Sequence, residues 1–248
     1  MLVTVRGTVI SVKDSGENDK LVTIVTDSLG TIRFFARGAK KLNAKNAAAC
    51  QLFAYSSFCL ESRGERYYLN SSETVSLFFG IRTDVTRFAL ASYIAEVLGY
   101  AVMEEQPSDE TMRLVLNIFW FLSEGKRSCA LLKSIFELRF ACCIGHMPRL
   151  AGCDVCAAYE AEKMYFLCGK GILLCGEHFD GGDPEGCFDV GKTLLHTIRY
   201  ICLTDMEKCF SFDLHGETLE KLGMISEKYL IGHIGRNFAS LDFYKGII

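Results

Sequence analysis

No uninterrupted apolar run in the 248 residues approaches the roughly 18–20 needed to span a bilayer, which argues against a helical membrane anchor. The first residues, Met1-Leu-Val-Thr-Val-Arg-Gly7, lack the charged start, apolar block and small-residue cleavage site of a secretory signal. The protein is therefore expected in the cytoplasm. There is no Gly-x4-Gly-Lys-Ser/Thr loop, the backbone cradle that a nucleotide-driven motor needs. No helix-turn-helix or basic-helix pattern is present to enter a major groove. Internal repeats and low-complexity tracts are also missing.

Half of the residues are apolar, enough to bury a sizeable core, so disorder is not expected as the main state. Twelve cysteines would suit a disulfide framework in a small exported domain. In a chain this long, with no export signal, reduced thiols are expected instead. Cys59, Cys142, Cys143 and Cys202 lie inside apolar stretches, where cysteine acts as a small hydrophobe. Only a tight cluster reads as chemistry.

The net charge of -3 hides an uneven distribution. Residues 1–80 carry ten Lys/Arg against seven Asp/Glu, leaving the acidic excess to the remainder. No acid occurs between Asp27 and Glu61, while Arg33, Arg37, Lys40, Lys41 and Lys45 all fall in that gap. This segment is the local candidate for phosphate contact.

Up to about residue 80 the hydrophobic period is two. Leu2–Val12, Lys20–Thr26, Thr31–Arg37, Ala54–Ser62 and Arg66–Leu77 read as strands, with turn signals at Asp14–Asp19 and Asp27–Gly30. A short helix over Asn43–Cys50 would separate the third and fourth. Five strands in this span suit a small closed barrel of the OB type. Beyond residue 83 the period becomes helical. Leu90, Ile94, Val97, Leu98 and Ala101 form one stripe, Met112, Leu116 and Phe119 a second, and Leu131, Ile135, Leu138 and Cys142 a third. Pro107-Ser-Asp divides the first two helices, with Ser108 or Asp109 as cap, and Pro148 is expected to end the third. Two more helices are expected over Lys192–Leu203 and Gly216–Phe238. The fold class is therefore α+β and multidomain: an OB-type barrel over 1–80, then a helical domain over 81–248 carrying an inserted module at 151–187.

That insert, rich in glycine and cysteine, holds too few regularly spaced apolar residues for a core of its own. Cys153-Asp-Val-Cys156 and Cys175-Gly-Glu-His178 supply a means of ordering it. In each, the two-residue gap lets both side chains reach one ion, and neighbouring backbone amides can offset thiolate charge. Together they make a four-donor nitrogen and sulfur set suited to one structural zinc. Cys168 and Cys187 are substitute ligands of lower rank, because neither has a second donor two residues away. A thioredoxin-like role for Cys153 and Cys156 would need a strand before them in a βαβ context, whereas the stretch that precedes them reads as helical. A catalytic zinc would need an open position. The deaminase pattern fails as well, since Met147-Pro148 follows His146 and no proline precedes Cys153. No catalytic centre and no small-molecule substrate are expected.

On the third strand, Ile32, Phe34 and Ala36 face one way and Arg33, Phe35 and Arg37 the other. The first set can fill a barrel. The second offers two guanidinium groups flanking an aromatic ring, a combination that holds single strands by charge along the backbone and stacking on the bases. Lys40, Lys41 and Lys45 extend the basic track. A plain solvated strand face followed by a lysine-bearing loop has the same composition.

The order of these pieces resembles the bacterial RecO family of DNA repair and recombination-mediator proteins. The resemblance rests on Gly7-Thr-Val-Ile10, Lys20-Leu-Val-Thr-Ile-Val-Thr-Asp27, Gly30-Thr-Ile-Arg33, Ala36-Arg-Gly-Ala39, Gln51-Leu-Phe53, Glu137-Leu-Arg139, Gly145-His-Met-Pro148 and the cysteine module, and covers about residues 1–180. It implies an OB-fold domain, a helical domain with a zinc module, and binding of single- and double-stranded DNA. It implies annealing of complementary strands and help in loading the recombinase at the nucleoid. The partners it implies are RecR, RecF in some pathways, and the acidic tail of single-strand-binding protein. Two departures stand out. His178 occupies a position where many relatives have cysteine, and Lys170 interrupts a glycine pair. The competing expectation is a zinc-containing protein-interaction adaptor that does not anneal.

Overall fold

A computed structural model describes residues 1–41, 44–104, 106, 109–182 and 186–248. Among them no helix is long and apolar enough to cross a membrane. By packing, the chain divides into two compact units, 1–126 with 238–248, and 127–237.

The alternating stretches of the first unit become β1 (Leu2–Ser15), β2 (Asp19–Thr26), β3 (Thr31–Ala36), β4 (Tyr55–Arg63) and β5 (Arg66–Ser76). They close a barrel in the order β1-β2-β3-β5-β4. β1 makes closure possible because it is long enough to pair twice. Its Leu2–Thr8 half lies antiparallel to β4 and its Gly7–Ser15 half antiparallel to β2. The bend falls where the register slips between Val9 and Ser11 and where Gly7 approaches the Val25 carbonyl so closely that a Cβ would sit 2.7 Å from it. Val9, Val22, Ile24, Phe34, Phe58 and Leu60 fill the interior with no exposed surface. The last seam is parallel and short, Phe34 opposite Tyr67 and Phe35 opposite Tyr68.

Between β3 and β4 the expected helix is absent from the described residues. Lys45–Cys50 instead makes successive turns, with Ala47 N donating to Ala44 O at 3.0 Å and Cys50 N to Asn46 O at 3.2 Å. Asn43, where that helix was expected to begin, lies outside the described residues.

A short 3-10 turn (Phe79–Thr83) leads into α1 (Val85–Ala101), capped by the Asp84 side chain, which accepts from Arg87 N at 2.9 Å. Of the expected stripe of α1, Leu90, Ile94, Val97 and Leu98 are buried and Ala101 is half-buried; Ala89, Ala91, Tyr93 and Ala95 are buried too, because β1, α2 (Asp109–Glu124) and α6 (Ala239–Lys245) all pack around it. Ser108, named as a cap for α2, lies outside the described residues. On α2 the buried stripe is Met112, Val115, Phe119 and Leu122, with Leu116 at its margin.

The second unit holds α3 (Cys129–Cys143), α4 (Lys192–Leu203) and α5 (Gly216–Ile234), and between α3 and α4 a four-stranded sheet. Ser128 caps α3 by accepting from Leu131 N at 3.2 Å. α3 ends five residues before Pro148, at Cys143, and Gly145 follows at φ 91°. α5 ends at Gly235, whose φ of 70° is the left-handed stop glycine provides at little cost. The helix expected through Phe238 therefore stops four residues short, at Ile234, and α6 begins past the expected span. Phe238 itself is buried against Tyr93, ring centroids 6.0 Å apart. α3 and α5 are joined by a buried charge cluster. Lys133 Nζ lies 2.8 Å from Glu137 and 2.9 Å from Glu227, and Ser226 Oγ donates to Glu137 at 2.6 Å. Arg139 donates to the last carbonyls of α4, Ile201 O at 3.2 Å and Cys202 O at 2.7 Å.

Candidate metal centre and nucleic-acid face

The sheet of the second unit is built from β6 (Arg149–Cys153), β7 (Met164–Leu167), β8 (Ile172–Cys175) and β9 (Cys187–Asp189) in the order β6-β8-β7-β9. β6 and β8 are parallel neighbours, so their C-terminal ends emerge together. Cys153 closes β6, a strand where the sequence before it reads as helical, Cys175 closes β8, and the turn after each brings round the second donor, Cys156 or His178. Those turns are fixed by Ala157 N donating to Cys153 O at 2.8 Å and His178 N to Cys175 O at 3.0 Å. The module also has apolar anchoring that its sequence understated. Phe166 and Leu173 are fully buried, and Phe166 meets the Tyr229 ring of α5 at 5.5 Å.

The four donor atoms lie within 4.8 Å of one another. Cys156 Sγ is 3.8 Å from Cys175 Sγ, and His178 turns Nδ1 toward the sulfurs, 3.1 Å from Cys175 and 3.9 Å from Cys153. With metal–sulfur bonds of about 2.3 Å and metal–nitrogen bonds of about 2.0–2.1 Å, a tetrahedral ion requires sulfur–sulfur edges of about 3.8 Å and sulfur–nitrogen edges of about 3.5 Å. The observed edges match the first and bracket the second. Cys153, Cys156, Cys175 and His178 could therefore hold a metal ion. Burial works against charge on Cys153, yet the backbone N–H groups of Cys156, Cys175 and Val155 prevail and bring its thiol down to about 6. The Ala158 amide pulls the Cys156 thiol down, but burial and the sulfurs of Cys153 and Cys175 outweigh it and leave that thiol raised. One sulfur of the cluster is thus prepared as a thiolate, and a cation would relieve the crowding at the other. Neither Cys168 nor Cys187 belongs to the cluster; Cys168 is buried, with its Sγ 3.9 Å from Ile225 O on α5.

On the barrel, the alternation of β3 is as expected from its period. Ile32, Phe34 and Ala36 are buried, Arg33 and Arg37 are exposed, and Phe35 is half-buried. Phe35 is not alone on that face. The parallel seam sets Tyr68 of β5 beside it, rings stacked at 5.5 Å and 26°. Three guanidinium groups surround the pair: Arg37 at 4.9 Å and Arg63 at 5.3 Å from the Tyr68 centroid, and Arg66 at 6.0 Å from that of Phe35. Arg63 is shared with Glu61 at 2.7 Å, and that hydrogen bond holds the Glu61 carboxyl below its ordinary range.

The lysines fare differently. Lys41 and Lys45 are exposed. Lys40 is engaged within the fold: its Nζ lies 3.1 Å from Asp14 and donates to Gly16 O at 2.9 Å, holding the β1–β2 turn. Tyr68, Arg63 and Arg66 escaped sequence reasoning because nothing in local periodicity announces that β5 pairs with β3. The alternation in Arg66–Leu77 located the strand but not its neighbour.

Two family models match the chain. The family model described as Recombination protein O N terminal matches residues 1–78, and Recombination protein O C terminal matches residues 82–242. The DNA repair protein RecO of Acetivibrio thermocellus is 29% identical, covering 96% of this chain and 94% of its own. That of Alkaliphilus metalliredigens is 26% identical over the full length of both, and that of Bacillus pumilus 27% identical over 98% of this chain and 93% of its own. The chain belongs to the RecO family of DNA repair proteins.

Proposed function

We propose that this protein binds single-stranded DNA across the β3–β5 face of its barrel and promotes annealing of complementary strands. The observation that carries this reading is the stacked Phe35–Tyr68 pair ringed by Arg37, Arg63 and Arg66. Bases can stack on the rings while guanidinium groups neutralise backbone phosphate, which leaves base edges free to pair. Such a surface holds strands without sequence readout and without nucleotide hydrolysis. Arg33, Lys41 and Lys45 extend the contact, whereas Lys40 contributes chiefly to the fold.

The ion proposed for the cysteine–histidine cluster is a structural zinc, held by Cys153, Cys156, Cys175 and His178. Four donors close the coordination shell, so its work is to tie the ends of β6 and β8 together. The helical unit is proposed to meet protein partners, with RecR, RecF and the acidic tail of single-strand-binding protein carried over from the resemblance, and cytoplasmic DNA as the place of action.

Annealing of two complementary oligonucleotides, followed with purified, metal-loaded full-length protein, tests the proposal. Acceleration over the spontaneous rate is expected, together with a salt dependence of single-strand affinity having a log–log slope near -3 for about four phosphate contacts. Unaccelerated annealing would instead establish a protein-interaction adaptor. Salt-independent affinity would remove the basic face from the mechanism.

A further inference from the structure

The seam that closes the barrel is incomplete, and the gap forms a pocket. β3 and β5 pair only at Phe34–Tyr67 and Phe35–Tyr68, so the first half of β3 has no β5 partner. The chain leaving α1 closes the far side, with Thr31 Oγ1 donating to Val102 O at 2.7 Å and Thr31 N to Met103 O at 3.2 Å. Gly30 pairs there with Glu104 at φ +62°, and a Cβ on it would lie 2.0 Å from Met103 O. Between these walls lies a cavity of about 350 Å³. That is near the lower end of the roughly 300–1,000 Å³ typical of small-molecule sites.

Its lining is sorted by chemistry. Ile32 and Leu29, both packed on the barrel core, give an apolar floor, and Phe35 and Tyr67 give aromatic walls. Arg33 and Arg66 stand at the rim, along with two carboxylates, Glu65 from the β4–β5 turn and Glu104. Among the described residues, neither of those carboxylates has a hydrogen bond or an ion pair within the protein. An acid on a surface meant only for phosphate would weaken binding. Acids over an aromatic-walled, apolar pocket suit a group that is flat and apolar on its faces and donates hydrogen bonds from its edge.

We propose that this pocket receives one unstacked nucleobase of the bound single strand and selects bases carrying an exocyclic amino group. The base enters the pocket against Phe35 and Tyr67, which both line it, its amino group donates to Glu65 or Glu104, and Arg33 and Arg66 take the flanking phosphates. Thymine has no exocyclic amino group and offers only its N3–H, set between two carbonyl oxygens that would face the carboxylates. The inference deepens the single-strand reading of this face and rests on it. It gives a binder without sequence-specific readout a compositional preference for cytosine, adenine and guanine over thymine.

The experiment compares oligo(dC) with oligo(dT), two weakly stacking pyrimidine strands of equal length and charge, binding to the full chain and to a Glu65→Ala/Glu104→Ala variant. Both glutamates are exposed, and a thermal melt checks that the variant stays folded. The wild type should bind oligo(dC) about fivefold to tenfold tighter, the net worth of one ordinary hydrogen bond. The variant should bind both strands more tightly, having lost two negative charges, and equally to within about twofold. Equal affinities in the wild type, or a cytosine preference that survives in the variant, would overturn the pocket while leaving the strand-binding face intact. No binding of either strand at low salt would overturn the face, and the pocket with it.

Discussion

Phe35 and Tyr68 lie 33 positions apart in the chain, yet their rings stack at 5.5 Å because β3 and β5 meet in parallel at the closing seam of the barrel. Three arginines converge on this pair. The face combines charge with stacking, and the two contributions answer to different measurements.

Removal of a ring should weaken binding without changing its salt dependence. Tyr68→Ala is expected to cost about 1–3 kcal/mol of single-strand affinity, the worth of one base–aromatic stack, with the log–log salt slope unaltered. Arg37→Ala should instead make the slope shallower by about 0.7, the share of one phosphate contact. Fluorescence titrations at several salt concentrations separate the two. A slope that moved with Tyr68→Ala would mean that the ring acts by positioning Arg37.

The metal cluster makes a prediction about stability. Cys153→Ser and Cys175→Ser should each lower the unfolding temperature of the second unit, and chelator treatment of the wild type should reproduce the loss. Structural zinc contributes about 10–16 kcal/mol of apparent binding energy to isolated zinc-finger peptides. Here the loss should be smaller, since Phe166 and Leu173 also hold the sheet. A Cys153→Ser/Cys175→Ser double variant that kept one zinc per chain by elemental analysis would remove these residues from the ligand set.

Lys133 and Glu137 should show the asymmetry of a buried pair. The Lys133 side chain is 7% exposed and that of Glu137 not at all. Burial presses the Lys133 amine toward neutrality, but Glu137 and Glu227 more than restore its charge and leave its pKa raised. Glu137→Ala leaves that ammonium with only the partly exposed Glu227 and is expected to cost up to about 3–5 kcal/mol in urea unfolding, whereas a Lys133→Met/Glu137→Leu double variant should cost markedly less. Equal losses would mean that the pair itself, rather than its disruption, carries the stability.

Two buried thiols supply a pH signature. Burial raises Cys50 to about 11, against a small pull from Lys20, and raises Cys209 to about 12, against Arg139. In the folded state both hold their protons above the ordinary thiol value of 9.0. Their contribution to stability is therefore complete below about pH 8.5 and declines as pH rises beyond it. At pH 8 iodoacetamide should leave both unmodified in the native protein and label both after unfolding, as read by peptide mass mapping. Native labelling of Cys50 would show that the barrel opens on the timescale of the reaction.

Much of this was legible along the chain because its causes are local. Alternation from Leu2 to Leu77 reports directly which side of a strand is buried, so all five barrel strands, and the inward and outward sets of β3, could be read from residue order. The two donor pairs were legible for the same reason, since a two-residue gap lets both side chains of a pair reach one point. Errors fell where a local signal had a non-local competitor. The residues 45–50 have helical composition, but they are spent on turns that bring the chain back to β4. α5 was overextended because the apolar pattern continues past Gly235 to Phe238, which is buried against Tyr93 instead.

The sequence by itself determined the five barrel strands, the helices α1 to α5, the inward face of β3 and the four donors of the cluster, because each depends on neighbours within a few residues. Only the tertiary structure decided which strands meet. The parallel seam puts Tyr68 beside Phe35, brings Arg63 and Arg66 to a face that the sequence had furnished from β3 alone, and leaves the pocket where its pairing stops. It also withdrew Lys40 from that face, by giving it Asp14 and the Gly16 carbonyl as partners. The reason is physical: strand periodicity records burial, which is a property of one chain segment, whereas pairing and ion partners are properties of two.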